Sequence, residues 1–469
     1  MKGDRSVSTK ELTKTAAARR KGDPTSLVSA LKNGGPLVWA SCLIMGLGNI
    51  AAGQWIKGII FLAIEAAFIA YMAIPNGGAH WLSMLPSLGD TETAEVWNED
   101  LGVYEYVQGD NSQQILLYAV ATMVIIVAVL VIWRSNVRSG YIALGKKKAG
   151  KKVPTFTDDL KSLLDENVHK MLMMPPFLML CIFTVVPLVY MMLMAFTNYS
   201  KVGDHLTLFD WVGMANFASL FDESSSLGRQ FFPVLQWTLI WAFFATFLNF
   251  FAGTIMAMII NRPTTRLKGL WRGILSLTIA VPQFVSLLII RTMFKSEGAV
   301  NQVLMNWGLI DTALPFFTDA TWARVTIIVI NMWVGIPYTV MSVTGILQNI
   351  PAEQYEAARI DGANAYQQFR NITLPYMIFV MTPTLITAFT GNINNFNIIY
   401  LLSGGGPTYI GDSAGQTDLL VTWLYKLTID NQEYNLAAVI GILTFVVLAT
   451  VALVTYRNSG SYKDEEGFK

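Results

Sequence analysis

The chain has 469 residues, of which 53% are hydrophobic and 14% charged, and its mean hydropathy is +0.45. Soluble domains carry roughly 25% charged residues, so this composition excludes an ordinary water-soluble protein, and it also excludes disordered, collagen-like and disulfide-rich secreted chains. The formal net charge of +1 argues against a nucleic-acid partner. The composition therefore indicates a protein that crosses a lipid bilayer several times.

Eight apolar runs are long enough to cross a hydrocarbon layer of roughly 30 Å, which requires about 20 helical residues. No period-2 alternation typical of membrane strands accompanies them, so the predicted fold class is an all-α polytopic membrane protein with eight transmembrane helices. A ninth stretch, 36–54, is rich in glycine and is predicted to form an N-terminal interfacial or re-entrant hairpin. The eight predicted spans are about 56–74, 115–133, 174–196, 235–260, 274–294, 324–346, 376–397 and 435–456.

Lysine and arginine are distributed unequally over the segments that connect these spans. Alternate segments, beginning with 1–35, contain 26 of them, whereas the four segments between contain only four. Because basic residues mark the cytoplasmic side of a bilayer, both termini are predicted to be cytoplasmic. Segment 75–114, with seven acidic residues and no Lys or Arg, is predicted to lie outside.

The same pattern divides the chain into four regions. A basic cytoplasmic tail, 1–35, precedes an N-terminal membrane region, 36–173, which ends in a long basic loop. The lysines at 146–152 in that loop are interpreted as contacts with anionic lipid. A six-span core is predicted at 174–456, followed by a cytoplasmic tail, 457–469.

Neutral amides, rather than charges, are the polar residues of the predicted spans. Four asparagines occur within the six residues 392–397, close in sequence to Phe389 and Phe396. An amide offers both a donor and an acceptor, which suits an uncharged, hydroxylated ligand, and aromatic rings stack on sugars. Hydrogen bonding between helices is the alternative for any single asparagine, and packing is the alternative for the aromatic residues. The cluster favours a cavity lining.

No catalytic or metal site is predicted. The three histidines are scattered and lack the spacing of metal ligands, and both cysteines lie in apolar stretches where they act as small hydrophobic residues. The sequence contains no GxxxxGK[ST] phosphate loop, so the chain is not expected to bind ATP through that motif.

The predicted cytoplasmic loop 348–375 has the pattern of two short helices joined at a glycine. Residues 352–360 favour a helix that Gly362 can end in the left-handed conformation. A second helix is expected from about Asn364, with Pro375 breaking it before the next span. Helices this short are not stable alone in water, so the elbow is predicted to dock against a partner.

The run E-A-A-x-x-D-G-A within this loop resembles the EAA loop of ABC-importer membrane subunits. The match continues through Phe369, Ile372, Leu374 and Pro375. By that resemblance the loop is a coupling helix that sits in a cleft of a cytoplasmic ATPase subunit. The implied ATPase-coupling residues are Glu356, Ala357, Ala358, Asp361 and Gly362.

From about 174 to 456, the chain resembles the larger permease subunit of maltose/maltodextrin importers, which implies a type I ABC-importer permease core. Matching stretches include N-x-W-x-G-x-P-Y at 331–338 and N-N-F at 394–396. In that family a mid-membrane sugar site lies on the later spans. Its positions fall here on Ile279, Gln283, Asn331, Gly335, Tyr338, Gly391, Asn392 and Asn395.

Three of these eight positions depart from the maltose-type pattern. Ile279 stands in place of Tyr, Gln283 in place of Ser and Gly391 in place of Phe. The loss of two aromatic residues removes stacking surface, so a different or longer glycan could be accommodated. The sugar therefore stays open between maltodextrin and a galacto- or raffinose-type oligosaccharide.

The resemblance implies a transport subunit with no cofactor of its own, because MgATP binds to two partner ATPase subunits. A second homologous permease subunit, an extracytoplasmic sugar-binding protein, an oligosaccharide and the lipid bilayer are the other expected partners. A secondary sugar transporter is an alternative, but it would need a coupling-ion site or repeated broken helices. A membrane-embedded enzyme would need a cluster of ionisable residues in the spans, where Glu65 stands alone.

Overall fold

The computed structural model describes residues 26–98, 102–262 and 264–458. Most of the predicted tail 1–35 and nearly all of the predicted tail 457–469 lie outside these residues. The chain divides into two compact units. Unit 1 comprises the residues up to Leu193 together with Thr207–Trp211, and unit 2 comprises Met194–Leu206 and the residues from Val212 onward.

Unit 1 contains the first two long apolar helices and most of the third. The helix that begins at Ser112 continues 15 residues past the predicted end of its span, through the first part of the predicted basic loop. The elements of this part of the chain are α1 (Leu27–Asn33), α2 (Pro36–Leu43), α3 (Leu47–Ala51), α4 (Trp55–Ala73), α5 (Gly78–Met84), β1 (Ala94–Asn98), β2 (Val103–Val107), α6 (Ser112–Lys148), α7 (Phe156–Leu164), α8 (Val168–Leu180) and α9 (Val186–Met194).

Unit 2 contains the remaining long helices. Its elements are α10 (Ala215–Ala218), α11 (Ser226–Asn261), α12 (Lys268–Ala280), α13 (Gln283–Met293), α14 (Ala299–Asn306), α15 (Ala320–Gln348), α16 (Ala352–Ile360), α17 (Ala365–Gln368), α18 (Leu374–Ile393), α19 (Phe396–Leu402), α20 (Leu420–Ile429) and α21 (Tyr434–Asn458).

Seven helices of the described chain are long and apolar enough to cross a bilayer, and α12 with α13 makes an eighth candidate that is bent by 90°. The predicted continuous span 274–294 is therefore wrong, because it is broken after Ala280. Pro282 disfavours the helical conformation at Val281, whose φ and ψ are −76° and 127°. The described chain has eight membrane spans only if α12 and α13 together cross the bilayer as one bent span.

The glycine-rich stretch 36–54 folds as two short helices, α2 and α3, neither of which is long enough to cross a bilayer. Gly46 joins them in the left-handed conformation, at φ +88°, and its N–H donates to Asn136 Oδ1 at 2.8 Å. The N–H of Met45 donates to the carboxylate of Glu65 at 2.8 Å. The turn of this hairpin is therefore held by side chains of α4 and α6, and its place at the membrane interface stays a prediction.

The segment predicted to lie outside contains an antiparallel β-hairpin, β1 and β2, which the all-α prediction missed. Residue pairs include Trp97 with Tyr104 and Glu95 with Tyr106. Valine and aromatic residues favour strands, and the strands are too short to show a long alternating pattern in the sequence. The fold is helical in every other element of the described residues.

Two buried clusters hold unit 2 together, and both join α11 to α15. In the first, Trp241 of α11 packs with Ile327 of α15, Leu287 of α13 and Ile398 of α19. The second contains Ala257 of α11 with Val343 of α15 and Met377 and Met381 of α18. Because α11 and α15 contribute to both clusters, they form the scaffold on which the shorter helices pack.

The end of the predicted span 376–397 and the role of Pro375 also need correction. The helix stops at Ile393, and α19 starts after Asn394 and Asn395. Pro375 was predicted to break the helix before this span, but it does not. A π-helical turn, Phe369–Thr373, joins α17 to α18 and leaves room for the proline ring. A second π-helical turn, Cys181–Val185, precedes Pro187 in the third long helix.

A buried ion pair organises the loop between α19 and α20. Asp418 is fully buried, and its carboxylate accepts hydrogen bonds from Lys426 Nζ at 2.6 Å and from Gly415 N at 2.7 Å. Burial raises the pKa of the Asp418 carboxyl, against the opposing effect of the Lys426 ammonium group. Gly405, at φ +82°, lies so close that a methyl group on it would overlap this carboxylate.

Gly405→Ala is therefore expected to destabilise unit 2 by about 2 kcal/mol more than Gly411→Ala, because the added methyl must displace a buried charge. Gly411 is the matched control: its φ is +88°, and a methyl there would meet no heavy atom of the described chain within 4 Å. Thermal unfolding of the purified membrane protein measures both. Equal Tm losses would mean that backbone strain, and not the carboxylate, sets the cost.

Candidate functional site

Five helices of unit 2, α11, α13, α15, α18 and α19, enclose a cavity of about 380 Å³. None of the described residues that line it is charged. Seven of the eight predicted sugar-site residues line this one cavity. They are Gln283, Asn331, Gly335, Tyr338, Gly391, Asn392 and Asn395.

The two interrupted helices supply much of the polar lining. Gln283 is the first residue of α13, directly after the break at Pro282, and Asn392 and Asn395 flank the break between α18 and α19. Asn395 also caps α19, because its side-chain oxygen accepts from the N–H of Ile398 at 3.4 Å. The backbone groups at a helix end have no partners within the helix, whereas those inside a continuous helix are all paired. At these two breaks, amide side chains accompany the helix ends at the cavity.

Hydrogen bonds fix the orientation of these amides. Asn392 Nδ2 donates to the hydroxyl of Thr246 at 3.0 Å, and Asn395 Nδ2 donates to Asn392 Oδ1 at 3.3 Å. Trp241 Nε1 donates to the backbone carbonyl of Asn392 at 3.1 Å, which anchors this end of α18 to α11. The asparagines therefore bond to neighbouring helices and also line the cavity, so both interpretations of the sequence cluster describe part of their role.

Asn331 and Gly335 lie one turn apart on α15 and face α11. Asn331 is 3% exposed, and its Nδ2 lies 3.5 Å from the carbonyl of Ala245. Gly335 has no room for a side chain, since a methyl group there would overlap the amide of Asn249. These two positions set how closely the scaffold helices approach beside the cavity.

Asn249 and Thr246 of α11 also line the cavity, although the sequence analysis did not select them. Asn249 Nδ2 donates to the carbonyl of Ala245 at 2.7 Å, while its Oδ1 is buried without a hydrogen-bond partner. An amide in an otherwise apolar run was the available signal. It was missed because the asparagine cluster at 392–397 dominates the pattern.

The three departures from the maltose-type pattern occupy different environments. Gln283 lines the cavity, whereas Ile279 does not: it lies in the last turn of α12, before the 90° bend. A methyl group at Gly391 would meet no heavy atom of the described chain within 4 Å. Gly391 therefore leaves part of the cavity open that a larger side chain would occupy.

The loop 348–375 folds as the predicted elbow. Helix α16 contains Glu356, Ala357 and Ala358, and Gly362 follows it at φ +80°, with the N–H of Ala363 donating to the carbonyl of Ala358 at 2.8 Å. Asn364 caps α17 in a reciprocal pair with Gln367. This geometry favours glycine at 362, because most other residues rarely adopt a positive φ.

The elbow presents an exposed surface and is tied to the membrane helix behind it. Glu356 and Asp361 are exposed, Ala358 is half-buried and Ile360 is 87% exposed. The hydroxyl of Tyr355 lies 2.8 Å from that of Thr373, at the junction with α18. Helix α17, the π-helical turn and α18 form one continuous helix of 29 residues, which connects the elbow to the cavity lining.

A bundle of apolar helices around an uncharged cavity that contains several amides, with an exposed elbow on a helix that lines it, is the arrangement of a membrane transport subunit. Residues 249–460 match the family model described as a binding-protein-dependent transport system inner membrane component. The chain belongs to this family of permease subunits.

Similar proteins include three permeases of known systems. The galactooligosaccharide permease of Bacillus subtilis is 36% identical over 90% of this chain and 97% of its own length. The maltodextrin permease of Streptococcus pneumoniae serotype 4 is 34% identical over 90% of this chain and 96% of its own length. The Escherichia coli K12 maltose/maltodextrin permease is 36% identical, but the match covers only 52% of this chain and 48% of that protein.

Solved structures confirm the fold. A bacterial ABC transporter that imports the acidic polysaccharide alginate has a chain with a TM-score of 0.51 and 22% identity, covering 64% of this chain and 96% of its own length. A chain of a bacterial alginate ABC transporter, in complex with a periplasmic protein bound to an alginate pentasaccharide, has a TM-score of 0.52 and 23% identity. The match covers 63% of this chain and 94% of that chain. Together with the family match, these structures confirm the predicted permease fold of the core.

Alanine substitution is expected to affect stability differently at two glycines of the cavity, Gly335 and Gly391, because only Gly335 lies where α11 and α15 approach closely. Gly335→Ala is expected to lower thermal stability by about 1–3 kcal/mol, because the methyl must displace the Asn249 amide. Gly391→Ala is expected to keep or slightly raise stability, since the space is open and alanine favours a helix more than glycine does. Thermal unfolding of the two purified variants measures the difference, and an equally stable Gly335→Ala would contradict this packing.

Proposed function

We propose that this chain is one of two pore-forming subunits of an ATP-driven importer of neutral oligosaccharides. The observation that carries the proposal is the cavity of about 380 Å³, in which amides and hydroxyls lie among apolar side chains, with no charge among its described lining residues. Amides can donate to and accept from sugar hydroxyl groups, and Tyr338 offers an exposed ring for stacking. Weak, neutral contacts suit a site that must release its ligand.

The absence of charged residues from the described cavity lining favours a neutral glycan over an acidic one. An acidic polysaccharide carries carboxylates, which need cationic partners when they are taken out of water. The chain's own cavity offers no lysine or arginine among the described residues, although a partner subunit would complete the pore. Relatives of matching length handle galactooligosaccharides and maltodextrin, and both names agree with a neutral ligand.

The elbow is the proposed point of coupling to ATP hydrolysis, and its residues are Glu356, Ala357, Ala358, Asp361 and Gly362. Two cytoplasmic ATPase subunits that bind MgATP would move α16 when they close. The continuous helix that begins at Ala365 would carry this movement to Gly391 and Asn392. An extracytoplasmic binding protein would deliver the sugar, and a homologous permease subunit would supply the other wall.

Glu356→Lys is expected to reduce sugar uptake to background while membrane insertion is retained, because the charge reversal would block docking of the exposed helix α16. Glu353→Lys is the matched control, since it makes the same change on the same exposed helix. Uptake of radiolabelled sugar, with membrane levels measured by immunoblot, tests both.

Gly362→Pro should also abolish uptake, whereas Gly362→Asn should retain much of it, because asparagine tolerates positive φ and proline cannot adopt it. Full uptake by both Glu356→Lys and Gly362→Pro would contradict the proposed coupling role.

Gly391→Phe tests the cavity itself. The ring is expected to occupy the open part, so uptake of longer oligosaccharides should fall by at least about tenfold, with a smaller effect on disaccharides. Gly345→Phe is the control, because Gly345 is also helical with open space around it but does not line the cavity. Equal uptake by Gly391→Phe and the unmodified transporter, for every chain length, would contradict transport through this cavity.

Calorimetry on the partner binding protein identifies the sugar. Tight binding of α-linked glucose oligomers would assign maltodextrin, and tight binding of galactose-containing oligomers would assign a galactooligosaccharide. Selective binding of a charged glycan would contradict the neutral-ligand proposal.

A further inference from the structure

Helix α7 of unit 1 is a short helix for which neither sequence nor fold has yet given a role. Thr155 and Asp158 form a reciprocal capping box at its start, with N···O distances of 3.3 and 3.0 Å. Nine residues are too few for a stable helix in water without support. Something besides its own hydrogen bonds must therefore stabilise α7.

One side of α7, with Asp159, faces the protein, while three apolar side chains lie on the exposed side. Asp159 forms an ion pair of 2.8 Å with Lys57 at the start of α4. Phe156, Leu160 and Leu164, spaced four residues apart on one face, are 37%, 48% and 60% exposed. In water this arrangement would be unfavourable, whereas it is typical of a helix that lies in the plane of a membrane interface.

The connection between α6 and α7 is held at the same end of unit 1. Lys147 Nζ donates to the carbonyl of Ala51 at 2.7 Å, and Gln54 Nε2 donates to the carbonyl of Pro154 at 2.7 Å. These contacts, together with the Lys57–Asp159 pair, fix α7 beside the first residues of α4. The lysine distribution predicts that this end of unit 1 is cytoplasmic.

A group of lysines next to α7 lacks partners of opposite charge. Within the described ranges, no carboxylate lies within 4.0 Å of Lys146, Lys148 or Lys151, which end α6 and begin the connection. Lys152 lies 3.9 Å from Asp158 but is 83% exposed, so this pair is weak. The lysines therefore form a cationic surface that is available to an anionic ligand.

Lys148 also lies at the edge of an apolar cavity of about 420 Å³ between α2 and the end of α6. Its Nζ is 3.6 Å from the position that a Cβ of Gly35 would occupy. Leu37, Val38 and Leu144 contribute apolar walls. A cation at the edge of an apolar cavity matches a molecule with an anionic head and a hydrocarbon chain.

We propose that α7, the lysines at 146–152 and this cavity form a binding site for an anionic phospholipid of the cytoplasmic leaflet. The phosphate lies against Lys148 and Lys151, one acyl chain enters the cavity, and the apolar face of α7 rests on neighbouring lipid. Cationic pockets and amphipathic helices at the cytoplasmic surface bind anionic headgroups by this combination of charge and apolar area.

Native mass spectrometry of the purified protein with phosphatidylglycerol or phosphatidylcholine tests the headgroup site. The protein should retain phosphatidylglycerol at least about fivefold more, and Lys148→Gln/Lys151→Gln should lose this preference, since each lysine near a headgroup contributes measurably to binding. Lys201→Gln/Lys295→Gln, an equal change of charge in unit 2, should retain it. Equal retention of both lipids by the unmodified protein, or an unchanged preference in the first variant, would overturn the site.

A fluorescent probe tests the position of α7 independently. In a Cys42→Ala/Cys181→Ala background, a labelled Leu160→Cys should be quenched by nitroxide lipids in vesicles of phosphatidylglycerol and phosphatidylcholine. Gln354→Cys, on the exposed helix α16, should be quenched far less. Equal quenching at the two positions would place the α7 face in water and would overturn the proposal.

Discussion

The constraint on which this structure depends is that backbone polar groups inside a bilayer must be satisfied without water. A continuous helix meets it with its own hydrogen bonds, and an interruption is tolerated where it is covered by protein or lines a water-filled cavity. Unit 2 interrupts two helices, at Val281–Pro282 and at Asn394–Asn395, and both interruptions adjoin the same cavity. The continuous helices α11 and α15 hold the fragments in place through shared hydrophobic clusters.

The chemistry of the cavity follows from this arrangement. Each helix end brings an amide: Asn392 donates to the hydroxyl of Thr246, and Asn395 donates to Asn392. Trp241 donates to the backbone carbonyl of Asn392. Charges are kept where they have partners or water: Asp418 with Lys426 in a loop, and Glu65 with the backbone of Met45 at the N-terminal hairpin. A cavity formed in this way suits a hydroxylated neutral ligand, and we propose that the movement needed to release the ligand reaches the cavity through the elbow.

Periodicity and composition predicted the long helices well, since a bilayer admits few alternatives to a continuous apolar helix. They did not locate the breaks. Pro282 and Pro375 are both prolines after apolar or helical residues, yet the first bends its helix by 90° and the second is absorbed by a π-helical turn. The outcome depends on tertiary packing, which local sequence does not encode. The hairpin β1–β2 was missed for a related reason, because strands of five residues lack a sustained pattern.

The sequence resemblance brought together residues that lie far apart in the chain, and seven of its eight cavity positions meet in space. Ile279 does not line this cavity, because it lies in α12, before the 90° bend that separates α12 from α13, and its role in sugar binding stays a prediction. Asn249 escaped notice because one amide in an apolar run is more often a packing contact than part of a site. Its buried, unpaired oxygen became visible only in three dimensions.

The most direct measurement is a cryo-electron microscopy structure of the assembled transporter, trapped with ATP and vanadate, with its binding protein and a neutral oligosaccharide. The account predicts density for the sugar within the cavity, in contact with Asn331, Asn392 and Asn395. Sugar density in the pore that avoids these residues, or a pore path that bypasses the cavity, would contradict it.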